Sequence, residues 1–154
     1  MSVAIVGELN PYGANPRYAL YHEPRNASGD RLRRILGLTV RSYVPLPKYN
    51  LCVGDWSMKA ARARAQEIWD AHDLIVTLGV RVRSAFNQLI GTPGCSGVGL
   101  DMIHGHTVVT LPHPSGLCRA WNITENVADA RELVQRYTGL PCGEVEEFLR
   151  GAGT

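Results

Sequence analysis

The sequence predicts an α/β protein, a three-layer α/β/α sandwich with a mostly parallel central sheet of about four strands. Three observations carry this. Short apolar runs occur at residues 2–6, 73–78 and 107–111, segments of helical period lie between them, and polar turns follow where the runs end. A run that is apolar at successive positions, rather than at every second one, is a strand buried on both faces. Strands of that kind alternating with helices imply a sheet covered on both sides.

Residues 2–6 form the expected first strand, closed by the turn Gly7-Glu8-Leu9-Asn10-Pro11-Tyr12-Gly13. Over residues 28–36, Leu32, Ile35 and Leu36 share one helical face while Arg31, Arg33 and Arg34 cover much of the rest, with Ser28 as the expected amino-terminal cap. Segments 41–44 and 49–53 read as strand pieces, since Pro45 and Pro47 exclude a continuous helix through this region. The alanine-rich run 57–71 is the clearest helix. Ser57 caps it, and Ala61, Ala65, Ile68 and Trp69 or Ala71 point inward. The run 73–78, Gly79 and the helical pattern 81–90 make a strand, tight turn and helix. A glycine-rich connection, residues 91–99, leads to the strand 107–111. Asn122 and Glu125 have capping-box spacing and open a helix to about Tyr137, with a last short helix expected at 143–149.

At 154 residues and 45% hydrophobic composition, the chain suits one well-packed domain, residues 1–154. A net charge of +2 is too small for the overall field to hold nucleic acid, so such a partner needs a local basic face. Arg62 and Arg64 read as a solvated helix face. Cys52, Cys95, Cys118 and Cys142 contain no Cys-x-x-Cys pair, which argues against a zinc knuckle or redox couple and for reduced thiols. His104 and His106 alternate at strand spacing, but no third metal ligand accompanies them. Asn26-Ala27-Ser28 and Asn122-Ile123-Thr124 spell glycosylation sites, yet capping is the expected use of both. With no apolar stretch of membrane-spanning length and no secretory pattern, the expectation is a cytoplasmic monomer with no membrane partner and no cofactor.

Several enzyme classes lose their signature. The first turn lacks Gly-x-Gly-x-x-Gly, no Gly-x-x-x-x-Gly-Lys-Ser/Thr phosphate loop occurs, and Gly-x-Ser-x-Gly is absent. What stands out is the pair of turns after the first and last apolar runs, because ligands of α/β sheets collect outside the carboxyl ends of the strands.

At these two turns the chain resembles the uracil-DNA glycosylase superfamily. Gly7-Glu8 with Pro11 is similar to the glycine, acidic or polar, proline pattern of that family's first motif, and Asn10-Pro11 to the Asn-Pro of its mismatch-specific and single-strand-selective branches. Tyr12 resembles the aromatic that stands against the base. His113-Pro114-Ser115-Gly116-Leu117 reproduces the order His-Pro-Ser-x-Leu of the second motif, in which the histidine contacts a pyrimidine oxygen and the leucine wedges into the base stack. Residues 75–86, with Leu78-Gly79, resemble the central strand and turn, and Tyr49-Asn50-Leu51 the segment that supplies a base-reading asparagine. Some branches hold an iron–sulfur cluster on four cysteines. Here none lies near the amino terminus at the short spacing required, so no cluster is expected.

The resemblance implies a monofunctional DNA glycosylase acting on uracil or a related pyrimidine, the chemistry that opens base excision repair. Breaking the N-glycosidic bond leaves positive charge on the sugar and negative charge on the base, so donors at the base oxygen and a positioned water stabilise what develops. His113 would donate to the leaving oxygen, and Asn50 offers both donor and acceptor to a uracil edge. Glu8 and Asn10 both stand as candidates for the water. Only Glu8 can take its proton. Gly7 and Tyr12 would border the base, while Ser115, Gly116, Leu117 and Arg119, with Ser28, Arg17 and Arg25, would meet DNA around the flipped nucleotide. Other uses of these residues remain open: a turn for Asn10, a solvated or capping carboxylate for Glu8, packing for Tyr12 and Asn50, and a structural hydrogen bond for His113. So do two other functions, a glycosylase-fold enzyme for another modified base and a non-catalytic binder of nucleic acid or free base.

Overall fold

Apolar side chains along the central strands divide strictly between two cores, one on each face of a single sheet. The computed structural model describes residues 3–10, 15–94, 97–115 and 118–142. Its strands are β1 (Val3–Asn10), β2 (Lys48–Val53), β3 (Leu74–Leu78), β4 (Gly99–Ile103) and β5 (His106–Leu111). They lie in the order β2-β1-β3-β5-β4, parallel throughout except for the antiparallel pair β4 and β5. The helices are α1 (Ser28–Ile35), α2 (Val40–Tyr43), α3 (Met58–Ala71), α4 (Val80–Ala85), α5 (Asn87–Ile90) and α6 (Thr124–Thr138).

Period-two geometry makes the division. Val3 and Ile5 of β1, Leu74, Val76 and Leu78 of β3, and Val109 and Leu111 of β5 pack with residues of α1, α2 and α6. The intervening Ala4, Val6, Ile75 and Val108 pack with α3, α4 and α5. The result is the expected α/β/α sandwich. Two cations tie the outer layers. Buried Arg131 of α6 donates from Nε to the Ile35 carbonyl at 2.7 Å and from a terminal nitrogen to that of Arg34 at 3.1 Å, satisfying carbonyls at the end of α1. Arg83 of α4, 1% exposed, reaches Thr92 O and the Asp101 carboxylate, which fastens the 91–94 connection and β4 to the sheet.

Several local expectations are corrected. Residues 7–10 are not a turn but the end of β1, because β2 continues to pair with them as far as Asn10 opposite Val53. The sheet has five strands rather than about four. β4 is a half-exposed edge strand without an apolar run, joined to β5 by the two-residue turn His104-Gly105 at φ +50° and +78°, the type I′ geometry that matches strand twist. Residues 41–44 belong to a helical turn, not a strand. Thr39 caps it by accepting from Ser42 N at 3.1 Å, Pro45 follows its end, and Lys48 Nζ satisfies the carbonyls of Tyr43, Val44 and Leu46.

Ser28 is inside α1, whose cap position is Ala27. The Asp30 carboxylate bonds the Asn26 amide instead. Asn122 ends a 3-10 turn (Arg119–Asn122), and Ile123 precedes α6 with no side-chain cap. The 81–90 pattern is two short helices broken at Phe86. In α3, Ser57 caps as expected and Trp69, not Ala71, faces inward. Cys95 and the helix expected at 143–149 lie outside the described residues.

Candidate active site

The floor of the site is where β1 and β2 end side by side. Parallel pairing sets Gly7 opposite Asn50. Because Gly7 has no side chain, the Asn50 amide lies over its Cα; a Cβ there would stand 2.3 Å from Asn50 Oδ1 and 3.1 Å from Leu20. The Asn50 Nδ2 group donates to Asn10 Oδ1 at 2.6 Å. Asn10 is only 5% exposed, and its backbone oxygen accepts from Gly54 N at 2.6 Å. Both asparagines are therefore fixed by strand register and by each other.

Glu8 lies between them along β1. Its Oε1 pairs with Arg81 Nη1 at 2.9 Å, and the Arg81 guanidinium also lies over the Trp56 ring, 5.8 Å from its centre. Oε2 has no partner among the described residues. One oxygen of the carboxylate is anchored and one is available.

His113 faces the same space from the end of β5. Gly79, at φ +94°, ends β3 beside it. Its amide bonds Leu111 O at 2.8 Å, and a Cβ there would come within 3.3 Å of His113 Cβ. Trp121 Nε1 donates to the His113 carbonyl at 3.0 Å and Arg31 Nε to the Pro114 carbonyl at 2.9 Å, so the turn is held from two sides. The Ser115 amide donates to His113 Nδ1 at 3.0 Å. A backbone N–H can only donate, so Nδ1 is an acceptor and the proton of the neutral ring is on Nε2. Burial holds the imidazole below its ordinary value, against a smaller opposing pull from Glu8. The ring is thus a neutral donor whose Nε2–H has no acceptor among the described residues.

Segment 15–23 and the start of α1 close the remaining wall. Leu20 sits at φ +52° with its carbonyl bonded to the buried Tyr43 hydroxyl at 2.6 Å. Gly29 lets this segment lie directly on the helix, since a Cβ would meet Leu20 O at 2.1 Å and Tyr21 O at 2.2 Å. Tyr18 and Tyr21 meet edge to face, 5.0 Å between ring centres, and both remain substantially exposed. The open cavity between these walls measures about 480 Å³, and Glu8, Asn10, Asn50, His113 and Ser28 all line it. That volume suits a small-molecule site, for which about 300–1,000 Å³ is usual.

The structure thus brings together Glu8, Asn10, Asn50 and His113 around one cavity, with Gly7 beneath the Asn50 amide rather than in the lining. Ser115 is bonded into the His113 turn, and Arg119 is exposed on the 3-10 turn beyond it. Arg17 and Arg25 are exposed. Tyr12, Gly116 and Leu117 lie outside the described residues. Tyr18, Tyr21, Glu23 and Gly29 are cavity residues that sequence reasoning missed. Segment 15–23 has no strand period and only one short 3-10 turn, Pro16–Tyr18, so no local pattern singles these residues out.

His106 stacks on Trp69 at 3.6 Å between ring centres and its Nε2 meets Trp69 O at 2.8 Å, while His104 is in the hairpin turn. Among the described residues no group of three or more His, Cys, Asp or Glu is placed to hold a metal ion. Cys52, Cys118 and Cys142 are free thiols, and burial pushes that of Cys142 up to about 11. Among the described residues no helix is long and apolar enough to cross a membrane. No protein-family model matches the chain, and no curated protein matches its sequence.

Proposed function

We propose that this protein is a monofunctional DNA glycosylase that hydrolyses the N-glycosidic bond of uracil or a related modified pyrimidine. The observation that carries the reading is the convergence of a carboxylate, two amides and a neutral imidazole donor on one cavity at the strand ends. The resemblance of the Gly7–Tyr12 and His113–Leu117 segments to the uracil-DNA glycosylase superfamily supports the same reading.

In this mechanism the target nucleotide is rotated out of the stack, at a cost of about a few kcal/mol, and its base enters the cavity. Tyr18 and Tyr21 offer aromatic surface at the mouth, and Asn50 meets the edge of the pyrimidine. As the C1′–N bond breaks, its electron pair passes to the base, where His113 Nε2–H stabilises the charge on the adjacent oxygen. Water adds to C1′ and gives its proton to Glu8. Glu8 suits this step better than Asn10, because Asn10 is buried with its oxygen engaged by Asn50 and an amide cannot take a proton. Asn10 then acts by holding Asn50 in place. The donor at His113 contributes about 10²–10³ in rate, the usual effect of one such group.

The test incubates the protein with single- and double-stranded oligonucleotides containing uracil or 5-substituted pyrimidines, then cleaves abasic sites with alkali. Base release that disappears in His113→Ala is the expected result. Binding without release from any of these oligonucleotides overturns the proposal in favour of a binding module.

A further inference from the structure

Arg31 is fastened to the His113 turn with no counter-charge among the described residues. It lies in the first turns of α1, half-buried, and among the described residues its only bond beyond the helix is the one from Nε to Pro114 O. The neighbouring carboxylate of Asp30 is occupied by Arg33 at 3.4 Å and Arg34 at 3.3 Å. Among the described residues, no acceptor meets Nη1 or Nη2 of Arg31 and no carboxylate pairs with it. A guanidinium held by one edge and open at its two terminal nitrogens is a preformed fork for a doubly oxygenated anion.

Its position fixes what that anion would be. Residues 27–29, one turn before Arg31, line the cavity wall, as does His113, and Pro114 and Ser115 follow His113 just outside the lining. The Ser115 hydroxyl has no partner among the described residues. A helix start adds favourable potential for negative charge on the same side. We infer that Arg31, with the Ser115 hydroxyl, binds the phosphate ester of the nucleotide whose base occupies the cavity. The inference rests on the proposed function for its geometry, and it adds a phosphate subsite that anchors the sugar at the mouth. The shared chemistry is a phosphate ester, either a diester within a strand or the terminal group of a free nucleotide.

Arg31→Gln tests it, because the amide keeps an N–H for Pro114 O while removing the charge. Binding is measured with a short single-stranded oligonucleotide carrying one non-cleavable 2′-fluorinated deoxyuridine, with dUMP, with deoxyuridine and with free uracil. We expect about tenfold weaker oligonucleotide binding, and a salt slope shallower by about 0.7 for the loss of one phosphate contact on a single strand. Uracil and deoxyuridine binding stays unchanged. A preference for dUMP over deoxyuridine that is lost in the variant assigns the terminal phosphate, and an effect on the oligonucleotide alone assigns the diester. An unchanged salt slope together with an unchanged preference for dUMP over deoxyuridine, or an equal loss for free uracil, overturns the inference. If Arg31→Gln fails to fold, Arg31→Lys decides: charge retained without the fork predicts weaker binding at an unchanged slope, and unaltered affinity overturns it. Should no oligonucleotide lose a base to the wild-type protein, the glycosylase reading falls while the salt slopes still decide the role of Arg31.

Discussion

The Cα of Gly7 and the side-chain amide of Asn50 occupy the same register position on adjacent strands, and the amide fills the space that any Cβ on Gly7 would take. Gly7→Ala must therefore move the Asn50 amide and break its 2.6 Å bond to Asn10. The atom displaced is the end of a side chain that can turn away, so the fold survives at a cost of about 1 kcal/mol. Base release falls by at least about tenfold. Urea unfolding and the oligonucleotide assay measure both quantities, and a variant with full activity would contradict the role given to Asn50.

Gly29→Ala should behave in the opposite way. Its Cβ would meet the backbone carbonyls of Leu20 and Tyr21, which are held by the chain itself and by Tyr43. We expect a loss of about 3 kcal/mol in unfolding free energy, larger than for Gly7→Ala. The reverse ranking would mean that segment 15–23 yields readily, and that the cavity wall is not fixed by this contact.

Tyr43→Phe removes the hydroxyl that satisfies the Leu20 carbonyl and leaves that carbonyl without its partner. Destabilisation of about 1–3 kcal/mol is expected from the unfolding midpoint. A neutral effect would mean that water or another donor replaces the bond.

His113 makes a prediction in pH. Burial lowers its folded pKa from the ordinary 6.5. Above 6.5 the ring is neutral in both the folded and unfolded chains and contributes no pH dependence. As the pH falls through 6.5 the unfolded chain takes up the proton first, so stability declines until the folded pKa is passed. The ring should therefore titrate below 6.5 by NMR, with Nδ1 unprotonated and Nε2 protonated at neutral pH. Glu8→Gln, which removes the opposing pull, should lower the midpoint further. A midpoint above 6.5, or a proton on Nδ1, would contradict the donor assignment.

Much of this architecture was legible in the sequence because its strands are apolar at successive positions. The runs at Leu74–Leu78 and His106–Leu111 and the Ser57-capped α3 required only local rules. The edge strand β4 was not legible, since one partner and partial exposure impose no apolar pattern, and α2 was hidden by Pro45 and Pro47. At the site, Glu8, Asn10 and His113 were readable as polar residues after apolar runs, and Asn50 through the family resemblance of residues 49–51. The contact between Asn10 and Asn50, 40 positions apart, depends on the register of two strands. Tyr21 escaped because irregular backbone has no period to read, Tyr18 and Gly29 because their place at the cavity is set by how segment 15–23 packs on α1, and Arg31 because its partner is a carbonyl 83 residues away.

The most direct measurement is a crystal structure with an oligonucleotide containing one non-cleavable 2′-fluorinated deoxyuridine. The pyrimidine should lie in the cavity, with a carbonyl oxygen about 3 Å from His113 Nε2, Asn50 at its edge and Glu8 on the C1′ side. A bound strand with the base stacked outside, or a base in the cavity turned away from His113, would contradict the assignment.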